Sequence, residues 1–280
     1  MSVLDREPEP DRRSPAQVAV PVVFLHGQPG LGRDFAPVAR ILEPSFKVLS
    51  VDRPGYGSTG GAAISMTDNA NFFASHIERS ATERVVLVGH SYGGGIAILL
   101  AARRPDLVRG LVLVASVGSA AHIGPIDHVL AAPVIGDVLV AGFVTSARRV
   151  LPLVRDSGRR IPGALGRWVA GSLPDRSFAR TAEFDAQSVR KSVVAEQRAL
   201  LSEIRDVESA LGELDLPVEV ISGTWDMIVP PAASRAIASR VPGAVIELVP
   251  GIGHFVPRDA PRAVASAVER VRERSALSPI

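Results

Sequence analysis

Residues 85–95, Val85-Val86-Leu87-Val88-Gly89-His90-Ser91-Tyr92-Gly93-Gly94-Gly95, leave this chain few folds to choose from. The run 85–88 is wholly apolar and mostly β-branched, and it reads as a strand buried on both faces, the condition of a strand inside a parallel sheet. Gly89-His90-Ser91-Tyr92-Gly93 then fits the spacing G-x-S-x-G, and the apolar run 96–102 reads as a buried helix. Strand, tight turn and helix in that order is the setting in which such a serine becomes a nucleophile. The turn has no room for a Cβ two residues before or after the serine, so both positions are glycine. The serine takes a strained backbone conformation that lifts its hydroxyl above the sheet edge. The plain alternative is a glycine-rich turn whose serine only caps the helix.

A serine hydroxyl is a poor nucleophile at neutral pH and needs a base beside it. A neutral histidine serves, provided a carboxylate on its other ring nitrogen fixes the tautomer and stabilises the imidazolium. Asp226, in Gly223-Thr224-Trp225-Asp226, follows the strand-like run 217–223. His254, in Gly251-Ile252-Gly253-His254-Phe255, follows another at 244–249. Ser91, Asp226 and His254 thereby fall at the carboxyl ends of expected parallel strands, where open α/β sheets place their sites. Asp226 could instead merely cap the helix after it, and a loop histidine by itself carries no function. Their combination with the serine turn is what selects a triad.

With these motifs and two more, His26-Gly27-Gln28-Pro29-Gly30 and Asp52-Arg53-Pro54-Gly55-Tyr56-Gly57-Ser58, the sequence resembles the α/β-hydrolases from about residue 22 to about residue 271. The resemblance implies an α/β class and the α/β-hydrolase fold: a mostly parallel sheet flanked by helices, with a helical cap inserted after the strand that follows the elbow helix. It implies catalysis by Ser91, Asp226 and His254, which stand in the family's chain order. It also implies an oxyanion hole made by the backbone N–H groups of Gln28, the residue after His-Gly, and Tyr92, the residue after the nucleophile. His26 is expected to brace its loop rather than move protons, and Asp52 to hold its loop through backbone hydrogen bonds. The Gln28 side chain either enters the pocket, to bind a polar substrate group, or faces solvent. His76 reads as a surface or packing residue; His90, at the variable elbow position, and His122 and His128, in the expected cap, either line a pocket or, as the expected reading, do nothing beyond packing or facing solvent.

The His-Gly-x-Pro turn is shared with epoxide hydrolases and haloalkane dehalogenases, relatives that attack an alkyl carbon with an elbow aspartate. Ser91 holds that position here and suits an acyl carbon. Epoxide hydrolases also protonate the opened ring with cap tyrosines, whereas the tyrosines here are Tyr56 and Tyr92, outside the expected cap. The expected reaction is hydrolysis of a carboxylic ester of a small-to-medium apolar substrate through an acyl-enzyme. The alternatives are hydrolysis of a carbon–carbon bond in a β-diketone-like ring-cleavage product, perhydrolysis and, in a different class, a receptor-like ligand binder that signals through its cap.

Along the chain, residues 1–16 read as a disordered or loose tail rich in Pro, Asp, Glu and Arg. Only Gln17-Val18-Ala19-Val20 precedes Pro21, so the family's first hairpin is expected to be reduced or missing. Strands are expected at 22–25, 46–51, 85–88, 111–115, 217–223 and 244–249. Helices are expected at 33–42, at 66–79 with Thr67 or Asp68 as cap, after the elbow, at 234–241 and at 261–274. Between 116 and 215 no comparable strand run occurs, and Pro125, Pro133, Pro152, Pro162 and Pro174 punctuate short apolar segments. The expected organisation is a core of 17–115 and 216–280 carrying a helical cap at 116–215.

A chain of 280 residues can bury a large core, and 46% hydrophobic residues fit a globular protein. The pI near 9.5 accompanies a net charge of only +2, because the cationic residues are nearly all arginine, with lysine at Lys47 and Lys191 alone. No basic block with interleaved aromatics appears, so no nucleic-acid partner is expected. The partner expected is a small-molecule ester or related acyl substrate. Cysteine is absent and no histidine pair has metal-ligand spacing with a third ligand, so no metal and no cofactor are expected. The charged, proline-rich start lacks an apolar signal core, which gives a cytoplasmic expectation. No apolar run is long enough to span a membrane. The apolar stretch 129–154 is expected to pack on the core; contact with a lipid surface is the weaker alternative, opposed by Asp137, Arg148 and Arg149. Arginines at 148, 149, 155, 159, 160, 167, 176 and 180 either steer anionic substrates or form a solvated face. Oligomeric state is not legible.

Overall fold

Buried β-branched runs separated by helical segments make a parallel sheet here. The strands are β1 (Val20–Leu25), β2 (Phe46–Ser50), β3 (Val85–His90), β4 (Val108–Val114), β5 (Val218–Gly223) and β6 (Val245–Val249). Every neighbouring pair is parallel, in the order β2-β1-β3-β4-β5-β6, in the computed structural model, which describes residues 20–163, 165, 166, 169 and 186–277. The chain goes from β1 outward to β2 and returns past β1 to β3. The carboxyl ends of β1 and β3 are therefore a switch point, where loops leave in opposite directions and open a crevice. The tail 1–16 and residues 17–19 lie outside the described residues.

The two-residue period of a strand sends alternate side chains to two cores. Val23, Leu25, Leu87, Leu111, Leu113 and Val220 face one, with Phe73, Ile77, Ile96 and Leu99 from helices α2 (Met66–Ser80) and α3 (Tyr92–Arg103). Val22, Phe24, Val86, Val88, Val112 and Val114 face the other, with Val38 and Leu42 of α1 (Ala36–Leu42) and Val264 and Val268 of the C-terminal helix Pro261–Leu277. Central strands buried on both faces explain why β3 and β5 read as continuous hydrophobic runs, while β2 and β6 at the edges are partly exposed. Glu219 breaks the run in β5 and is buried there, where Arg270 and Arg274 of the C-terminal helix pair with it at 3.0 and 3.1 Å.

Between β4 and β5 the described residues hold helices and no strand: a short 3-10 turn at Ala120–His122, then α4 (Pro125–Ala131), α5 (Ile135–Arg149), α6 (Leu151–Gly158) and α7 (Ala186–Ala210). Helix α7 joins two packing environments. Val189, Val193 and Val194 in its first half pack with Val140 of α5, while Leu200, Ile204 and Val207 in its second half enter the core under α3. The second half of the helix thus belongs to the sheet's own core, although it falls within 116–215. The apolar stretch 129–154 is split. Ala131 and Val140 are buried, but Val134 and Val138 are 72% and 66% exposed, so packing on the core accounts for only part of it. Among the described residues, no single helix is long and apolar enough to cross a membrane.

Element ends differ by a few residues from expectation. The first helix is preceded by a 3-10 turn, Gly32–Phe35, because Asp34 accepts from the Leu31 N–H at 2.8 Å and tightens that turn. Helix α2 is capped by Ser65, whose hydroxyl accepts from the Asp68 N–H at 3.0 Å, rather than by Thr67 or Asp68. The extended backbone of Ser65 is what lets its side chain reach the first turn. After β5 come α8 (Pro231–Arg240), the single turn α9 (Val256–Asp259) and α10 (Pro261–Leu277).

Candidate active site

Ser91 lies between the last residue of β3 and the first of α3 with φ 53° and ψ −121°, a left-handed conformation that a side chain resists. Three backbone bonds hold it there: its N–H donates to Val114 O at 3.0 Å, and its carbonyl accepts from Gly94 N at 3.0 Å and Val117 N at 3.2 Å. The turn is pressed against the end of β1. A Cβ at Gly93 would lie 2.2 Å from the carbonyl oxygen of Leu25, inside van der Waals contact with backbone that cannot move aside. From the other side Gly27 approaches so closely that a Cβ there would lie 3.0 Å from Ser91 Cβ and from His90 Nδ1. The turn after β1 and the elbow after β3 therefore meet at the switch point.

The structure joins Asp226 and His254 directly. Nδ1 of His254 lies 2.8 Å from Oδ2 of Asp226, and both side chains are buried. The other carboxylate oxygen accepts from the N–H groups of Ile228 and Val229, each at 2.9 Å, so the carboxylate can turn neither way. Asp226 thus organises its own loop and meets the histidine as well. The two loops are stapled by Trp225 N to Ile252 O at 2.9 Å and Gly251 N to Thr224 Oγ1 at 2.9 Å. With Nδ1 donating to the carboxylate, the neutral ring presents an unprotonated Nε2, the form needed to take a proton from a hydroxyl.

His90, expected at the variable elbow position to have no special role, connects the serine turn to this pair. Its ring centroid lies 4.8 Å from that of His254, and its Nε2–H donates to the backbone carbonyl of His254 at 2.9 Å. Burial, together with the neighbouring His254, pushes the His90 pKa down to about 3, so the ring is neutral and Nε2 holds its proton.

Gln28 begins the turn whose backbone faces Ser91. Its N–H and that of Tyr92 make no hydrogen bond to another described residue. The half-buried Gln28 side chain is tied to α7: Nε2 donates to the carbonyl of Val193 at 2.7 Å. His26 braces the turn, with Nδ1 bonded to Gly27 O at 2.9 Å and Nε2 accepting from the Arg53 N–H at 2.9 Å. Burial first, and then Arg53, hold its pKa well below the usual histidine value, as suits a neutral bracing ring. Asp52 accepts from Gly32 N and Ser58 N, each at 2.9 Å, and so holds the loop after β2.

A buried ionic cluster, not signalled by any of the motifs, stands behind the turn. Arg53 and Glu196 are both fully buried and paired side to side, and the Tyr56 hydroxyl donates to Glu196 Oε2 at 2.7 Å. The Arg53 guanidinium carbon lies 4.9 Å from the centroid of each of the Tyr56 and Tyr92 rings. The available signal was on α7, where Glu196 interrupts the apolar stripe of Val189, Val193, Leu200, Ile204 and Val207. A charge on a buried stripe needs a partner, and its partner stands in the Asp-Arg-Pro-Gly loop. Among the described residues, no group of three His, Asp or Glu is placed to hold a metal ion.

A family model described as "Alpha/beta hydrolase family" matches residues 22–267. Pimeloyl-[acyl-carrier protein] methyl ester esterase of Neisseria meningitidis serogroup B is 26% identical over 245 residues, which cover 87% of this chain and 89% of the relative. The crystal structure of haloalkane dehalogenase DbeA from Bradyrhizobium elkani superposes with a TM-score of 0.71 at 22% identity, covering 94% of this chain and 93% of that one. A thermophilic esterase from Thermogutta terrifontis superposes with a TM-score of 0.67 at 21% identity, covering 91% and 90%.

Proposed function

The chain belongs to the α/β-hydrolase family and has its fold, and on that premise we propose that it is a serine hydrolase cleaving a carboxylic ester of a small-to-medium apolar substrate. The observation that carries this reading is the buried contact between His254 Nδ1 and Asp226 Oδ2 at 2.8 Å, reached from the Ser91 turn through His90. Esterases among the relatives favour the same reaction class, and a serine at the elbow suits attack on an acyl carbon.

In the proposed cycle Ser91 Oγ attacks the ester carbonyl while His254 Nε2 takes its proton. The carbonyl π electrons move onto oxygen, which becomes an oxyanion held by the N–H groups of Gln28 and Tyr92. The oxyanion collapses, the C–O bond to the alcohol breaks, and His254 returns the proton to the departing alkoxide. Water, deprotonated by the same histidine, then attacks the acyl carbon, the bond to Ser91 Oγ breaks, and His254 returns the proton to that oxygen as the acid leaves. Asp226 stabilises the imidazolium in both halves and stays ionised.

The test is turnover of p-nitrophenyl butyrate together with labelling by a fluorophosphonate and peptide mapping. The expected result is a single adduct on Ser91 and, in Ser91→Ala, a loss of turnover of at least about 10³-fold with an unchanged fold. Turnover that survives in Ser91→Ala overturns the reading.

A further inference from the structure

The peptide group between Gly27 and Gln28 has one end in the proposed oxyanion hole and the other on a buried cation. Arg53 Nη2 donates to the Gly27 carbonyl at 3.0 Å, and Arg53 Nε donates to the His26 carbonyl at 3.1 Å. In a trans planar peptide the C=O and the following N–H point in opposite directions. A guanidinium fixed on Gly27 O therefore sets the direction of the Gln28 N–H. It also draws electron density toward the carbonyl, which makes that N–H a stronger donor, and the effect is enhanced in a dry interior. The Gln28 N–H makes no hydrogen bond to another described residue and is free to donate.

Arg53 is held by three further contacts. The Glu196 carboxylate on α7 takes both Nη groups, and the Tyr56 and Tyr92 rings flank the guanidinium. Tyr92 supplies the second proposed oxyanion N–H, so the cation bonds the peptide of one donor and packs on the ring of the residue that carries the other. The same helix holds the turn from its other side, where Gln28 Nε2 reaches Val193 O, and it holds the Arg53 loop where Ser192 Oγ donates to Gly55 O at 2.8 Å. Burial is the largest single influence on Arg53 and works against its charge, but Glu196 together with Tyr56 and Tyr92 outweighs it and leaves the guanidinium pKa raised, so the cation persists across the working pH range.

Resting on the serine-hydrolase reading, we propose that Arg53 is a positioning residue that aims and polarises the Gln28 N–H toward the oxyanion, and that Glu196 of α7 holds Arg53 in place for this. The pair acts through the peptide group and touches neither substrate nor nucleophile. It also makes the seating of α7 a condition for a competent hole.

A purely structural ion pair would alter stability and leave oxyanion binding alone, so the readout must separate the two. Arg53→Met alone would strand a buried carboxylate, so the main variant is Arg53→Met combined with Glu196→Gln, which removes both charges and keeps an acceptor for Tyr56. Turnover of p-nitrophenyl butyrate is measured beside the inhibition constant of an alkyl trifluoromethyl ketone, which forms an oxyanion on the serine. The matching alkyl methyl carbinol, which forms none, serves as the ground-state probe. The expected result is a fall in kcat of at least about tenfold, below the roughly 10²–10³-fold cost of losing a whole oxyanion donor. The trifluoromethyl ketone should weaken in parallel, while carbinol binding and KM stay within about twofold. Unchanged kcat and ketone affinity in the folded double variant overturn the inference. If the double variant does not fold, Glu196→Gln alone is expected to weaken kcat and ketone affinity together, and a null effect on both overturns it equally. Ser91→Ala runs alongside: turnover surviving there removes the hydrolase reading itself, an outcome distinct from a dead Ser91→Ala with an indifferent Arg53 and Glu196.

Discussion

Nε2 of His90 lies 2.9 Å from the backbone carbonyl oxygen of His254, so the residue just before the serine turn carries the loop that follows the last strand. β4 and β5 stand between β3 and β6 in the sheet, and this bond spans them above the strand ends. It binds the loop's backbone and leaves the His254 ring free to serve Asp226 at Nδ1. Burial keeps this ring neutral although the bond by itself favours the charged form, which ties the stability of the fold to pH.

His90 has a pKa of about 3 in the folded chain, against 6.5 for an ordinary histidine, chiefly through burial and then through the His254 ring, against the upward pull of its bond to the His254 carbonyl and of Asp226. Between those values the unfolded chain binds a proton that the folded chain refuses. This contribution to stability is therefore intact above about pH 6.5 and lost progressively as pH falls toward about 3, at up to about 1.4 kcal/mol per pH unit. Burial lowers His26 in the same direction. Urea unfolding at pH 7 and pH 5 should show wild type losing more stability on acidification than His90→Asn. Equal losses in both proteins would refute the assignment to His90.

Asp226→Asn should keep the loop contacts to Ile228 and Val229 through its amide oxygen, while turning an N–H donor toward His254. The imidazole is then driven to the wrong tautomer, and kcat for p-nitrophenyl butyrate should fall by roughly 10⁴-fold with little change in KM. A thermal melt near that of wild type, measured beside the kinetics, would show that the loss is chemical. A variant within tenfold of wild type would contradict the proposed role of the carboxylate.

Gly93→Ala and Gly142→Ala should move stability in opposite directions. A methyl at Gly93 meets the Leu25 carbonyl at 2.2 Å and has to separate α3 from β1, which should leave little soluble protein. A methyl at Gly142, inside α5, meets nothing within 4 Å, and the substitution should stabilise by about 0.5–1 kcal/mol through helix propensity. Soluble yield and melting temperature decide both; a well-behaved Gly93→Ala would refute the tight contact.

Glu203 on α7 accepts from the N–H groups of Met66 at 2.7 Å and Thr67 at 3.3 Å, and so supplies α2 with a second cap from a remote helix. Glu203→Ala should cost about 1–2 kcal/mol in urea unfolding, and Ser65→Ala about 1 kcal/mol. The two caps serve different N–H groups, so the double variant should be close to additive. An unaltered midpoint in Glu203→Ala would show that solvent satisfies those groups instead.

The serine turn was open to sequence reading because its chemistry is local: glycine at 89 and 93 is dictated by backbone contact, and β3 reads as doubly buried from four letters. The approach of Asp226 to His254 was to be expected from the motifs around the two residues and from the family resemblance, since both sit just past strands whose parallel arrangement fixes which ends they share. Glu196 was missed because its partner lies 143 residues away, and its position on the stripe of α7 says that a partner is required without saying which. The Ser65 cap was missed by one or two residues because capping depends on the backbone angles of a single loop residue.

From sequence alone came the class of sheet, the order of its elements and the residue types at the ends of its strands, because periodicity and turn sterics act over a few neighbours. Only the tertiary structure decided that Gln28 turns its side chain to Val193, that Arg53 backs the turn facing Ser91, and that His90 holds His254. Each is a hydrogen bond between segments brought together by burial. A buried polar group must find a partner, but which one it finds depends on where the packed core leaves both of them.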